Sequence, residues 1–519
     1  MEANKKTKAL GVGVAAAVLV AGGAYVAYAK FDLFKSPRMM YLEAEAQSMS
    51  EVSKKLDKAS KEYNEAIDAS VKGTTSQDIE ISNLILDMAM PDPQIQKALD
   101  LAKDSKIVIS SSADGPNNKG AGKLDIFINK SNLVGAEFFY DKEKLGFGVP
   151  AIYNKYGYYN YKDKAIVEQR FGQMGLPDHV PNNKEYMEVF RIPNEELKPI
   201  LADYAKLYAE SIKDQQVTVK KGATLEADGV KQSGKELTVT FTAEEYKQLM
   251  KKFTDKISKD EKLQDLLYAR YDKLVELMKQ NAPDESIPKL TKEEFKKKFS
   301  EFKTEADREI DKKDAGSGVK MVVFVDSDDH ILRRTITTDN KSKDKNVIIT
   351  IDSYENKDGR DRNSFEFVGK DAKGEDIKIN ITNLMKEESS KKDQEFTVWA
   401  KGKENGRPSG MTLSVKGTTT KNDKDKSTTE DAKVELAMDM NDPTIPKKLT
   451  FNMKSTQKLN GEVKIPALDA GNSVNLAIVT DADLMKIQQE IQLGGQQFMI
   501  KNMQLFQQLG LMPGMPTGQ

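Results

Sequence analysis

Residues 411–417 read MTLSVKG, and this short stretch shows the pattern that decides the fold. Apolar residues such as Leu413 and Val415 alternate with polar ones, so an extended chain places the two kinds on opposite faces. The stretches KVELAMDM (433–440) and KLTFNMKS (448–455) repeat the alternation. Segments of this kind predict strands of an antiparallel sheet with one apolar and one solvated face.

The pattern extends over most of the chain. Between 319 and 455 it recurs in nine segments separated by polar turns: MVVFV, ILRRTITT, NVIITIDSY, SFEFVG, DIKINIT, EFTVWA, MTLSVKG, KVELAMDM and KLTFNMKS. Nearer the N-terminus, four further segments predict strands: IEISNLILDM, KIVISSS, KLDIFIN and VGAEFFY. The tyrosine-rich residues 151–172 favour strand packing, with a ligand-stacking platform as the alternative interpretation.

Helical periodicity appears in three other regions. Residues 39–70 carry apolar residues at helical spacing and predict an amphipathic helix: Met49, Val52, Leu56, Ala59 and Tyr63. A second helical region, 243–314, opens with Thr242 followed three residues later by Glu245, which predicts a capping box. Residues 480–519 are rich in Gln and Met and predict a terminal helix, split at Gly494, that either docks on the fold or offers an adaptable binding face.

Two sequence similarities within the chain predict related strand pairs, which arise either from a duplication or from equivalent edges of two similar sheets. SVKGTT at Ser70 recurs at Ser414, and LDMAMPDP at Leu86 is echoed by LAMDMNDP at Leu436. The predicted fold class is therefore α+β, with an N-terminal transmembrane helix followed by curved antiparallel sheets with packed helices, arranged as two similar lobes. The predicted segments are a cytoplasmic tail and anchor (1–38), a membrane-proximal helix (39–75), a sheet-plus-helix lobe (76–314), an antiparallel sheet lobe (315–468) and a helical tail (469–519).

The run ALGVGVAAAVLVAGGAYVAYAK at 9–30 is roughly 30 Å long as a helix, which matches a bilayer core. It predicts a retained single-pass membrane anchor, with a signal peptide cleaved after Ala29 as the alternative. The localisation expected is the cell membrane, with the N-terminus cytoplasmic and the bulk of the chain extracytoplasmic. The anchor would be formed by Leu10, Val12, Val14, Val18, Leu19, Val20, Tyr25, Val26 and Tyr28.

Composition excludes several classes of function. The 519 residues contain 80 Lys and Arg against 81 Asp and Glu, and this balance gives no electrostatic basis for binding nucleic acid. The absence of cysteine excludes disulfides, a thiol nucleophile and thiolate metal sites. With only two histidines, His179 and His330, a multi-histidine zinc site is excluded as well. No cofactor is predicted.

The acidic stretch VDSDDH at 325–330 invites a calcium-loop interpretation, but His330, Ile331 and Thr337 stand where such a loop needs an acidic ligand, glycine and glutamate. A hairpin turn is the favoured prediction. Nucleotide-binding and hydrolase motifs are missing, and a pair of carboxylates facing each other in space is the one catalytic arrangement left open. The chain is predicted not to be an enzyme.

Several stretches together resemble a family of membrane-anchored extracytoplasmic proteins of Gram-positive bacteria that is catalogued as a domain of unknown function. They are FGQMGLP, KELTVTFTAEEYKQLMKKF, KDEKLQDLL and MVVFVDSDDHILRRTITTDN. The order of sheet and helices is also similar to lipoprotein-carrier half-barrels, in which an acyl chain lies between a sheet and its helices. The chain lacks the lipobox cysteine of lipidated proteins.

These observations favour a non-enzymatic, membrane-anchored extracytoplasmic binding protein whose ligand is a lipid, a wall polymer or an envelope protein. The first alternative is a structural or assembly partner in the envelope. The second is an envelope hydrolase. The sequence names no ligand-binding residue.

Overall fold

The computed structural model describes residues 35–88, 93–172, 175–177, 179–180, 183–281, 288–311, 318–339, 346–370, 374–404, 407–439 and 445–508. Within these residues, eighteen strands join into one sheet. The strands are β1 (Thr74–Asp87), β2 (Lys106–Asp114), β3 (Lys119–Ile128), β4 (Ser131–Tyr140), β5 (Lys144–Val149), β6 (Tyr153–Asn160), β7 (Val217–Ala227), β8 (Val230–Phe241), β9 (Gly318–Val325), β10 (Ile331–Asp339), β11 (Ile348–Glu355), β12 (Asp361–Lys370), β13 (Asp376–Glu388), β14 (Lys391–Glu404), β15 (Arg407–Asn422), β16 (Ser427–Asp439), β17 (Lys448–Leu459) and β18 (Ser473–Asn475).

Helices account for most of the remaining described chain. They are α1 (Pro37–Lys72), α2 (Pro93–Lys103), α3 (Lys164–Phe171), α4 (Asn183–Phe190), α5 (Asn194–Ser211), α6 (Ala243–Lys259), α7 (Glu261–Asn281), α8 (Lys292–Asp311), α9 (Asp481–Lys501) and α10 (Met503–Gln508), with short 3₁₀ turns at Tyr161–Asp163 and Asp214–Gln216.

The strands lie side by side in chain order, except that the block β1 to β6 follows β17 instead of preceding β7. Strands β7 to β17 lie side by side in chain order, β17 pairs with β1, and β1 to β6 continue the sheet. These pairings are antiparallel, and the short β18 adds to β6 in parallel. The first strand of the chain therefore lies in the middle of the sheet, where it joins the N-terminal strands to the C-terminal meander.

The main core lies where helices cover one end of the sheet. Leu237 and Val239 of β8 and Val323 of β9 are fully buried against side chains of α1, α5, α6 and α7. We call this helix-covered side the inner face and the opposite side the outer face. Directly paired residues share a face, so the strand register extends the inner face across the whole sheet.

Helix α1 runs along the turns at one edge of the inner face. Near its start Tyr41 packs on β8 and β9, and at its end the backbone N–H of Gly115, in the β2–β3 turn, donates to the carbonyl of Gly73 (3.0 Å). A Cβ at Gly115 would lie only 2.3 Å from the Ser70 carbonyl oxygen, so this close approach needs glycine. The 32 residues from 41 to 73 rise roughly 48 Å, which equals the ten strand intervals from β9 to β2.

An ion pair buried on the inner face fixes the start of α1. Glu45 accepts two hydrogen bonds from the Arg334 guanidinium, at 2.5 and 2.7 Å, and both side chains are about 6% exposed. Burial alone would lower the pKa of Arg334, but the Glu45 carboxylate outweighs it and holds that pKa well above its usual range. Tyr41 and Tyr208 share a hydrogen bond beside the pair (2.7 Å), and burial raises the pKa of Tyr41 further above 10.

The predicted two-lobe arrangement is wrong. Strands on both sides of residue 315 belong to the same sheet, because β8 pairs with β9 and β17 pairs with β1. The duplicated SVKGTT stretches are not equivalent, since Ser70 lies in a helix and Ser414 in the middle of a strand. The LDMAMPDP echo does have a structural counterpart, because Leu86 and Leu436 both pair with Leu449.

The predicted localisation also needs correction. Among the helices of the described residues, none combines the length and apolar character needed to cross a bilayer. The single-pass topology of the predicted fold class and localisation therefore has no counterpart among the described residues. The predicted anchor residues, Leu10 to Tyr28, lie outside the described residues.

The C-terminal helix differs from the prediction in one way, because α9 continues through Gly494 instead of breaking there. None of its residues is buried, but the Ile152 carbonyl before β6 lies so close to Gly494 that it leaves no room for a Cβ. Docking on the fold and an adaptable binding face both stay predictions. Residues 509–519 lie outside the described part of the chain.

Candidate functional site

The inner face carries unbroken rows of apolar side chains across the centre of the sheet. One row starts beside buried Arg334 and follows the register of eight strands. Its members are Ile351, Phe365, Ile381, Val398, Leu413, Leu436, Leu449 and Leu86. Seven strand intervals make this row roughly 34 Å long.

Parallel rows widen this surface. One consists of Ile349, Phe367, Ile379, Ala400, Met411 and Met438. Another lies on β17 and β1 to β4, on the other side of the first row, and consists of Met453, Ile81, Ile107, Ile126 and Val134. We call the residues of these three rows the apolar floor.

Most of the apolar floor is only partly covered. Ile381 of the first row is 39% exposed and Met411 of the second row is 45% exposed, while the other members of the first row are half-buried. Phe138 and Phe147, which lie beyond the N-terminal end of the floor on β4 and β5, are also about half exposed. Exposed apolar patches of this extent are uncommon on soluble proteins, so the apolar floor is the candidate functional site.

The floor offers no backbone hydrogen bonds to a ligand. Strands β11 to β17 and β1 to β5 are each paired on both sides, so their N–H and C=O groups are already used within the sheet. Contact with the floor is therefore made through aliphatic and aromatic side chains alone.

Helix α1 contributes a second apolar surface at the edge of the inner face. The stripe predicted from Met49 to Tyr63 lies on this helix with Tyr41 and Ile67 beyond its two ends, and burial changes along this length. Tyr41 and Ile67 are buried at the two ends, whereas Val52 is 53% exposed and Tyr63 44% exposed between them. The middle of the stripe thus has no protein side chain covering it fully.

Polar and charged side chains tie the middle of α1 to the edge turns of the sheet. Glu51 contacts the His330 imidazole (2.9 Å) just before β10, and Lys58 forms an ion pair with Glu387 (2.9 Å) at the end of β13. The hydrogen bond from Lys58 is the main cause that lowers the pKa of Glu387. These two contacts join the middle of α1 to the ends of the strands at one edge of the sheet.

The acidic stretch at 326–330 forms the predicted hairpin turn. The Asp326 carboxylate accepts hydrogen bonds from the backbone N–H groups of Asp328 and His330, both at 2.9 Å. Asp326, Asp328 and His330 bring ligand atoms within 4.8 Å of one another, as a metal site would. However, Asn356 makes the same two backbone hydrogen bonds in the 356–360 turn, at 3.0 Å each, so the acidic cluster is explained by turn geometry.

Some tyrosines of the tyrosine-rich segment pack in a buried cluster, and another lines a cavity on the outer face. Tyr159 and Tyr161 are buried in a small cluster with Val167, which agrees with the strand-packing prediction. Tyr156 lies on the outer face, where its hydroxyl donates to Glu137 (2.6 Å). Sequence reasoning named neither this pairing nor the apolar floor as a site, although the alternation of residues contained the signal for the floor.

Comparisons with known proteins add no family. No protein-family model matches the sequence, and no curated protein matches it. Among solved structures, OccAB3 of Acinetobacter baumannii is similar at 7% identity and a TM-score of 0.17, and the outer membrane protein opdK of Pseudomonas aeruginosa at 8% and 0.14. Each covers 74% of this chain and 98% of its own chain, and similarity at these scores carries no argument. The family resemblance drawn from sequence stays a prediction.

Proposed function

We propose that this chain is a non-enzymatic binding protein for the acyl chains of a lipid, which lie on the apolar floor beside α1. The observation that carries the proposal is the registered row from Ile351 to Leu86, which is apolar over eight strands and only partly covered. Each methylene group buried there contributes about 0.8 kcal/mol, so a long acyl chain gains on the order of 10 kcal/mol before the costs of binding are subtracted.

An acyl chain suits the floor better than an extended polypeptide does. A polypeptide strand needs partners for its N–H and C=O groups, and the floor has none to offer because its strands are paired on both sides. An acyl chain has no such groups. It needs only continuous apolar contact, which the floor provides.

A second copy of the chain is a poorer occupant for a steric reason. Two sheets that pack face to face are about 10 Å apart, and this separation leaves no room for a helix that lies on one of them. Helix α1, with a diameter of about 10 Å, occupies the edge of the inner face along eleven strands. It therefore blocks the approach of a flat partner but not of a flexible chain.

The hydrolase alternative is less well supported. Asp125 and Glu137 are close, but Lys123 lies between them, at 3.3 Å from Asp125 and 3.7 Å from Glu137. An ammonium group thus fills the position that a water molecule or a glycosidic oxygen would need between two catalytic carboxylates. Asp78 lies three strand intervals from Glu137, roughly 14 Å, which exceeds the separation used by either class of glycosidase.

Neighbouring residues of β15 provide a matched test. Leu413 lies on the inner face and Thr412 on the outer face, and both are half-buried. Binding of cis-parinaric acid, a fluorescent 18-carbon fatty acid, should weaken at least tenfold in Leu413→Asp, because a carboxylate would then lie under the bound chain. In Thr412→Asp binding should stay within twofold of the wild type.

Circular dichroism should show the same strand content in both variants. Equal loss of binding in the two variants would mean that the effect is not confined to the inner face. A wild-type protein that produces no fluorescence increase would exclude acyl-chain binding.

One observation favours a second candidate, an assembly role for the C-terminal helix. Ile478, just before α9, is 76% exposed, and Met485 and Ile500 on the helix are 63% and 66% exposed. Such flexible apolar side chains suit an adaptable protein-binding surface. Deleting residues 480–519 should then abolish cross-linking to a partner while leaving cis-parinaric acid binding unchanged, and unchanged cross-linking would count against it.

A further inference from the structure

The outer face holds a cavity of about 480 Å³ that is lined by both polar and apolar groups and is separate from the apolar floor. The segment after β17 crosses this face before it reaches β18. It is held at one end by the hydrogen bond from Asn460 N–H to the Thr74 carbonyl (2.7 Å), and at the other by Tyr156 N–H donating to the Asn472 carbonyl (2.8 Å). The cavity lies beneath this segment, with Lys464 in its lining.

Small side chains on adjacent strands create the hollow. Ser76 of β1 is paired with Ser112 of β2, and Ser112 with Ala121 of β3. One step along the strands, Asp78 is paired with Ser110. Serine and alanine rise little above the sheet, so the crossing segment leaves an open volume within the range of small-molecule sites.

The hydroxyl groups in this hollow are free to bind a ligand. Within the described part of the chain, the structure gives no hydrogen-bond partner to the hydroxyls of Ser76, Ser110 and Ser112, nor to the carboxylate of Asp78. Each hydroxyl can donate one hydrogen bond and accept others. The four groups lie on two adjacent strands and face the same volume.

The far wall of the cavity is already ordered by its own hydrogen bonds. Glu137 accepts from the Tyr156 hydroxyl (2.6 Å) and lies 3.7 Å from the Lys123 ammonium. The hydrogen bond to Glu137 is the main cause that raises the pKa of Tyr156 to about 12, so this hydroxyl remains a donor at neutral pH. Gly148 leaves room for the Tyr156 ring, since a Cβ there would lie 2.8 Å from it.

The charges of the lining select against ions. Lys123 and Lys464 are balanced by Asp78 and Glu137. A phosphate group would face two carboxylates, and a metal ion would face two ammonium groups. A neutral molecule rich in hydroxyl groups meets neither repulsion, and it can both donate to and accept from the serine hydroxyls.

We propose that this cavity is a binding site for a neutral saccharide of one or two rings, held by Ser76, Ser110, Ser112 and Asp78. The site lies on the opposite face of the sheet from the apolar floor and does not depend on the proposed lipid-binding function. It is a binding site rather than a catalytic one, for the reasons given for the carboxylates around Lys123.

Isothermal titration calorimetry of the full chain with cellobiose, maltose and N,N′-diacetylchitobiose tests the proposal. We expect saturable binding of at least one of these disaccharides. In the double variant Ser110→Val and Ser112→Val the affinity should fall at least tenfold, because two donor groups are lost. Ser414→Val, which changes a half-buried outer-face serine far from the cavity, should bind as the wild type does.

Asp78→Asn provides a variant that keeps the size of an exposed side chain, and it should weaken binding by several-fold even if the double variant fails to fold. Absence of heat with all three sugars would overturn the proposal. Binding that is unchanged in both Asp78→Asn and the folded double variant would overturn it too. Retention of cis-parinaric acid binding in these variants keeps the result distinct from that of the proposed function.

Discussion

The two ends of the inner face show what the same strand pattern becomes with and without a cover. Val239 and Val323, on β8 and β9, are fully buried beneath helices. Val398 and Leu413, on β14 and β15, have the same alternation and the same orientation but are only half-buried. The alternation of a strand thus determines which face is apolar, whereas the neighbouring elements determine whether that face becomes core.

The difference follows from the connections between strands. Strands β7 and β8 are preceded by α5 and followed by α6, and these helices contribute Tyr204 and Phe253 to the core. Strands β11 to β16 are joined to one another by turns and short loops. The central strands therefore have no local helix to cover them, and α1 passes along their edge only.

The largest effect is expected at the buried ion pair between Glu45 and Arg334, in the helix-covered part of the sheet. Replacing Glu45 with alanine leaves the buried Arg334 without a partner, so the free energy of unfolding should fall by about 3–5 kcal/mol. Urea denaturation monitored by circular dichroism measures this change. Glu387→Ala, which breaks the exposed pair with Lys58 over the central strands, should leave stability within error of the wild type.

Equal destabilisation by the two alanine variants would show that α1 is held as firmly over the centre of the sheet as at its start. That result would remove the contrast between a covered and an uncovered end.

A smaller effect separates the two kinds of inner-face leucine. Leu237→Ala removes a fully buried side chain and leaves a cavity, so it should cost about 2–5 kcal/mol. Leu413→Ala removes a half-exposed side chain from an open surface, where no closed cavity forms, and should cost about 1 kcal/mol. Urea midpoints of the two variants provide the comparison.

Saturating cis-parinaric acid should sharpen this result. If the ligand covers Leu413, the penalty of Leu413→Ala should grow in its presence, because the side chain then loses contacts with the bound chain as well. The penalty of Leu237→Ala should not change. A larger penalty for Leu413→Ala than for Leu237→Ala without ligand would contradict the assignment of the floor as open.

The sequence predicted local structure well and long-range arrangement poorly. Strand alternation and the Thr242 capping box are both present, since each depends on residues a few positions apart. The pairing of β17 with β1 joins residues nearly 400 positions apart, and no local pattern encodes it. The two-lobe prediction failed for this reason.

The candidate sites also combine a local pattern, which the sequence shows, with a long-range arrangement, which it does not. The floor could have been anticipated from alternation, but its exposure depends on where α1 passes. The cavity depends on a crossing segment whose path is set by one hydrogen bond at Asn460 and another at Tyr156. Serines at Ser110 and Ser112 look like ordinary strand residues until that segment is placed above them.

Two helix caps with the same chemistry offer a finer comparison. Thr242 and Thr480 both accept a hydrogen bond from the backbone N–H three residues later, at 3.3 and 3.1 Å. Helix α6 buries Phe253 in the core, whereas α9 has no buried residue. Thr242→Ala should therefore lower the free energy of unfolding by about 1 kcal/mol.

In contrast, Thr480→Ala should loosen α9 without changing the urea midpoint of the sheet. Hydrogen exchange measured by mass spectrometry should show faster exchange limited to α9. A shift of the urea midpoint in Thr480→Ala would indicate that α9 is part of the cooperative core.

The smallest expected effect is a pH dependence that belongs to the Thr242 cap. Hydrogen bonds from Thr242, chiefly from its backbone N–H, hold the pKa of Glu245 below its ordinary value of 4.5. The ionised carboxylate therefore stabilises the fold above that ordinary value, and this contribution is lost as the pH falls through the lowered pKa of the folded state. Glu245→Gln should lose stability relative to the wild type at neutral pH, and the difference should shrink below about pH 4. Urea denaturation at a series of pH values measures it, and a difference that stays constant down to pH 3 would show that the cap does not depend on the charge of Glu245.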